Sequence, residues 1–189
     1  MGYLFDGRIA YISDVSNIPD TAWSTIEREI MAVTDVVEAK RNGASTRRSK
    51  LQVLAIDALR IPQHASHFGL PQAIEAARRM GADRTYLIGF AHRISHSAWT
   101  LACEAFSESQ ASTLPISKER ELSIPPYDWR LYNGHPEYDK EDIQVFKDYA
   151  LHAIESWEQE RKPGFWVRPA CDGLTIQVDA SSVRDDVYT

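Results

Sequence analysis

Three apolar runs of strand length, each followed by a polar junction and a segment with helical spacing, set the pattern of this chain. Residues 8–15 (RIAYISDV), 51–59 (LQVLAIDAL) and 84–90 (RTYLIGF) are nearly continuous in apolar residues, as strands buried on both faces are. Between them the period changes. Residues 19–33 place Trp23, Ile26 and Ile30 on one helical face, with Pro19 and Asp20 in the first turn, where a fixed φ and a negative charge are favoured. Residues 71–80 carry Ala73, Ile74 and Ala77 beside Leu70 on an apolar face, with Gly81 placed to cap the helix. Residues 95–108 read as a helix, and residues 141–159 repeat Ile143, Phe146, Ala150, Ala153, Ile154 and Trp157 at intervals of three and four. Between these two, residues 109–140 break into Pro115, Pro125-Pro126, Asn133-Gly134 and Pro136, and predict an irregular arm, lid or insertion rather than core. Residues 164–178 hold short extended pieces (FWVRP, LTIQV), and 179–189 read as a frayed tail. No internal repeat is seen. The alternation predicts an α/β domain with helices covering a sheet, built from residues 1–108 and completed by 141–178.

Composition narrows this without changing it. The 189 residues suffice for one domain with a substantial core, and 43% apolar and 25% charged residues are ordinary for a globular protein. A net charge of -6 gives no general attraction to nucleic acid or an anionic membrane. Lys40, Arg41, Arg47, Arg48 and Lys50 flank an Asn-Gly-Ala-Ser-Thr stretch and read as a mobile surface loop, with phosphate steering the alternative. Cys103 and Cys171 lack the spacing of a zinc motif or the density of a disulfide scaffold. Neither a signal peptide nor an apolar span is apparent, so a reduced, cytoplasmic setting is expected.

The candidate chemistry gathers at the strand ends, where open α/β sheets place their ligands. Asp14, Asp57 and the segment from Gly89 to His96 all follow the three runs. Four of the six histidines lie in two short segments: His64 and His67 in PQHASHFGLP, and His92 and His96 in GFAHRISH. Imidazoles and carboxylates at one sheet edge are what an acid–base pair or a divalent transition metal requires. His135 and His152 have no such company and read as structural or solvated. Neither GxGxxG nor GxxxxGK[ST] occurs, which removes the commonest phosphate loops.

The succession AYISDVSNIP, VLAIDALR, HASHFGLPQAIEAARRMGADRTYL and HRISH resembles the second half of a metallo-β-lactamase-fold hydrolase. Its nearest likeness is the branch of phosphodiesterases similar to phosphoribosyl cyclic phosphate phosphodiesterase and their fungal relatives. The resemblance implies an α/β fold, the C-terminal half of an αββα sandwich with one mixed sheet and helices on one face. It implies that Asp14 bridges two divalent ions, zinc or manganese, that His64 and His67 lie at the substrate phosphate, and that His67 donates a proton to the leaving oxygen. Asp57 would orient the histidine loop through hydrogen bonds. Two departures stand out. The family's HxHxDH motif belongs upstream of the bridging aspartate, and the chain starts at the strand that carries that aspartate. The family's next metal-binding histidine, in LTH, falls where this chain has Gly89, so His92 would have to serve. A histidine restored at 89 is therefore expected to tighten a second metal unless His92 already does so. The implied function is metal-dependent phosphodiester hydrolysis needing the N-terminal half, with metal weak or absent in this chain. A truncated chain is expected to expose the sheet face meant for the other half and to associate with another copy or a complementary half. The alternative is a non-catalytic remnant or partner-binding α/β domain.

Overall fold

The computed structural model describes residues 1–39, 51–91, 94–109, 140–158, 162–179 and 182–188. The basic loop at 40–50, His92, His135 and nearly all of the 109–140 arm lie outside them. The elements in chain order are β1 (Gly2–Phe5), β2 (Ile9–Ile12), α1 (Asp20–Ala39), β3 (Val53–Asp57), α2 (Leu70–Met80), β4 (Arg84–Ile88), α3 (His96–Glu108), α4 (Lys140–Glu158), β5 (Val167–Pro169), β6 (Ile176–Val178) and β7 (Val183–Asp185). The first five strands form a mixed sheet in the order β1-β2-β3-β4-β5, antiparallel between β1 and β2 and parallel thereafter. The fold is α/β, as the pattern predicts, with each parallel step from β2 to β4 made by a crossover helix.

Alternation along the strands sorts the two faces. Ala10, Ile12, Leu54, Ile56 and Leu87 join Trp23, Ile74 and Trp99 of the helices in one buried core. Position 10 pairs with 54 and 12 with 56, so these apolar positions stack in rows under the helices. On the opposite face the row Tyr3, Tyr11, Ala55, Tyr86 runs across four strands. At its β1 end Tyr3, Phe5 and Tyr11 are 51%, 54% and 38% exposed. At its other end a two-stranded hairpin of β6 and β7 covers it: Tyr86 Oη donates to Asp185 Oδ2 at 2.7 Å, and Gln52 Nε2 donates to Asp179 O at 2.8 Å. The tail expected to fray thus carries β7, paired in register from Ile176↔Asp185 to Val178↔Val183. Among the described residues no helix is long and apolar enough to cross a membrane.

The hairpin's anchor makes the fold sensitive to alkali. Burial, then the Asp185 carboxylate accepting its hydrogen bond, hold the Tyr86 phenol well above its ordinary 10.0. Burial likewise pushes Tyr188 up to about 12. Below the ordinary value both folded and unfolded states keep these protons, and the stabilisation is whole. As pH rises past 10.0 the unfolded chain ionises while the folded one does not, so stability falls. Denaturant midpoints should therefore decline above that pH, and Tyr86→Phe should reduce the slope without abolishing it, because Tyr188 remains.

Candidate acid–base site at the strand ends

β2 ends at Ile12, and the chain then turns sharply: Asp14 stands in the left-handed region at φ 54, a conformation that aspartate tolerates better than most residues. Ser13 Oγ donates to Asp14 Oδ2 at 2.6 Å, and the Asp14 side chain is 67% exposed. On the adjacent parallel strand Asp57 is the last residue of β3 and is only 2% exposed. These are neighbouring strand ends of one sheet, so both carboxylates face the loop that follows β3.

That loop, residues 60–69, is closed on itself. Leu59 N donates to Phe68 O at 3.1 Å, Leu70 N to Arg60 O at 2.9 Å, and Arg60 and Gly69 form an isolated parallel bridge. Gly69 is the close approach that permits this, because a Cβ there would lie 2.7 Å from Gln63 N, Ile61 O and Pro62 C. Its own N–H donates to Gln72 Oε1 of α2 at 3.1 Å, which ties the loop to the helix start. The closure brings His67 over the strand ends. His67 Nδ1 lies 2.9 Å from Asp57 Oδ2 and 4.0 Å from Asp14 Oδ1.

The carboxylate of Asp57 can only accept, so Nδ1 carries the proton of that bond and Nε2 is left to exchange a proton with whatever binds in front of it. His64 stacks at a tilt beside His67, ring centroids 5.6 Å apart, and its Nδ1 accepts from Ser66 N at 3.3 Å. Asp14, Asp57, His64 and His67 are therefore brought together. His96 is not: its Nε2 lies 3.1 Å from Tyr188 Oη, and its Nδ1 3.4 Å from Thr100 Oγ1. His92 lies outside the described residues.

The donor set does not by itself fit a bridged pair of cations. Among the described residues no three His, Cys, Asp or Glu side chains group as a metal shell. Asp14 is available, but His67 commits Nδ1 to Asp57. A ligand at 89 is also not available by simple replacement. Gly89 has φ 78, and a Cβ there would overlap Asp57 Oδ1, so the expectation that a histidine at 89 would tighten a metal is corrected: it would first displace Asp57. The family resemblance placed Gly89 as a vacant ligand position, whereas the packing makes it the place where a buried carboxylate meets the backbone.

Comparison with known protein families finds no family that matches the chain, and comparison with curated proteins finds no relative. Among solved structures, the chain is similar to one described as a new diphosphatase from the PhnP family, at 28% identity and a TM-score of 0.32. The match covers 48% of this chain and 27% of that one. A TM-score of 0.32 is too low to carry that protein's fold or activity over to this chain.

Proposed function

We propose that the chain contributes the acid–base edge of a phosphodiester-hydrolysing site of the metallo-β-lactamase superfamily. The observation that carries the proposal is the 2.9 Å bond between buried Asp57 and His67, 4.0 Å from Asp14, at adjacent parallel strand ends. Asp57 fixes the ring's tilt and keeps the proton on Nδ1, His67 in its imidazolium form gives its Nε2 proton to the leaving oxygen and ends as the neutral Nδ1–H tautomer, and His64 beside it supplies a second donor toward a phosphoryl oxygen. The SDVS, HxxHF and GADRTYL segments support the superfamily and a small phosphodiester as substrate. A zinc or manganese ion, as the resemblance implies, would use Asp14 and further donors from outside the described residues; when bound it would polarise the phosphoryl oxygens.

The test uses protein expressed from the complete reading frame, with bis-(p-nitrophenyl) phosphate and Mn²⁺ or Zn²⁺. Turnover is expected, and Asp14→Ala should abolish it. Turnover that is unchanged in Asp14→Ala would remove Asp14 from the site. A second reading, association with another copy or a complementary half, is favoured by the exposed Tyr3, Phe5 and Tyr11. Sedimentation that shows a monomer throughout the concentration range would remove it.

A further inference from the structure

Position 89 is where the resemblance implies a metal-binding histidine, and the geometry there points to a different duty. We propose that Gly89 is a positioning residue, whose missing side chain lets the Asp57 carboxylate lie against the β4 terminus and so hold His67. The nearest atoms to a Cβ at 89 belong to one side chain, Asp57, with Oδ1 overlapping and Cγ at 3.6 Å. The other carboxylate oxygen, Oδ2, is the one 2.9 Å from His67 Nδ1.

The backbone on both sides of the contact is held. Asp57 is paired with Ile88 in register, Ala58 N donates to Ile88 O at 2.8 Å, and Ala91 N donates to Leu59 O at 2.9 Å. These bonds lock residues 57–59 to 88–91 on both sides of the contact. Phe90 next to it packs on Trp99 with ring centroids 4.5 Å apart, which fixes the turn from outside. With Asp57 2% exposed, a displaced carboxylate would stay buried. Any side chain at 89 must therefore turn the carboxyl group and break its bond to His67. A ligand at 89 and the Asp57–His67 pair are alternatives at one spot, and this chain holds the pair. The bearing of this on catalysis rests on the reading of His67 as proton donor; the positioning itself does not.

The experiment uses the full chain labelled with ¹⁵N-histidine, and compares wild type, Gly89→Ala, Asp57→Ala and the double variant. Wild type should show a hydrogen-bonded, slowly exchanging His67 Nδ1 proton, which Gly89→Ala should shift or lose while the methyl region stays dispersed. Alanine at φ 78 is strained in any background, but the collision exists only when Asp57 is present. The fall in melting temperature caused by Gly89→Ala should accordingly be smaller in the Asp57→Ala background, by about 4 °C or more. If Gly89→Ala alone does not fold, the double variant should fold. An unchanged Nδ1 proton in Gly89→Ala, an equal fall in both backgrounds, or failure of both to fold would overturn the assignment. None of these readouts uses hydrolysis, so their failure is distinct from failure of the proposed activity.

Discussion

His67→Ala is expected to lower turnover of an alkyl phosphodiester, whose leaving oxygen needs a proton, by about 10²–10⁴-fold, the usual contribution of a positioned general acid. The same change strips Asp57 of the His67 side chain 2.9 Å from its Oδ2, and Asp57 is only 2% exposed. An acceptor so buried without its hydrogen bond costs about 1–3 kcal/mol of stability, so the variant should also unfold at lower urea. His67→Gln separates the two effects. Its amide can still donate to Asp57 but has no acidic proton to give, so it should keep more of the stability and turn over no faster than the alanine variant. Initial rates and urea midpoints on the three proteins check this. A His67→Gln enzyme as active as wild type would mean that the imidazole only braces the loop.

Trp99→Ala is expected to be the most destabilising single change, at about 3–5 kcal/mol. Trp99 is 1% exposed in α3 and sits between Phe90, centroid 4.5 Å away, and Phe146 of α4, 5.1 Å away and nearly perpendicular. It therefore joins the α3–α4 pair to the turn after β4 that carries Gly89. Its indole Nε1 is buried with no hydrogen-bond partner among the described residues, so Trp99→Phe, which removes that group and retains an aromatic ring, should cost much less than alanine. Against a typical total of about 5–15 kcal/mol, the alanine variant should be marginally folded at room temperature by circular dichroism and denaturant melts. A loss under about 1 kcal/mol would show that this cluster does not hold the helices to the sheet.

The elements that the sequence made legible are those with long, regular periodicity. The core residues of β2, β3 and β4 fall inside the three apolar runs, and α2 ends at Gly81 in the left-handed conformation foreseen for it. β1 was not foreseen, although its signal was present: Asp6 and Gly7, both at positive φ, begin the three-residue connection through Arg8, whose N–H donates to Phe5 O at 2.9 Å, that pairs Phe5 with Ile9 and Gly2 with Ile12. β6 and β7 have three residues each, too few for alternation to show, and they are held by distant groups such as Gln52 and Tyr86. In the site, the clustering of Asp14, His64 and His67 follows from strand ends and spacing. The role of Gly89 does not, because a close approach between two strand ends has no mark in either segment alone. His96 shares a short segment with His92 in sequence, but Ser95 caps α3 and the helix start presents His96 to Tyr188.

The most direct measurement of the central claim, that His67 held by Asp57 protonates the leaving oxygen, is the dependence of the His67→Ala penalty on the leaving group. A p-nitrophenolate departs with little help, whereas an alkoxide needs a proton in the transition state. The ratio of wild-type to His67→Ala turnover should be at least about 10-fold larger for an alkyl phosphodiester than for the p-nitrophenyl ester. Equal ratios for the two esters would contradict the claim.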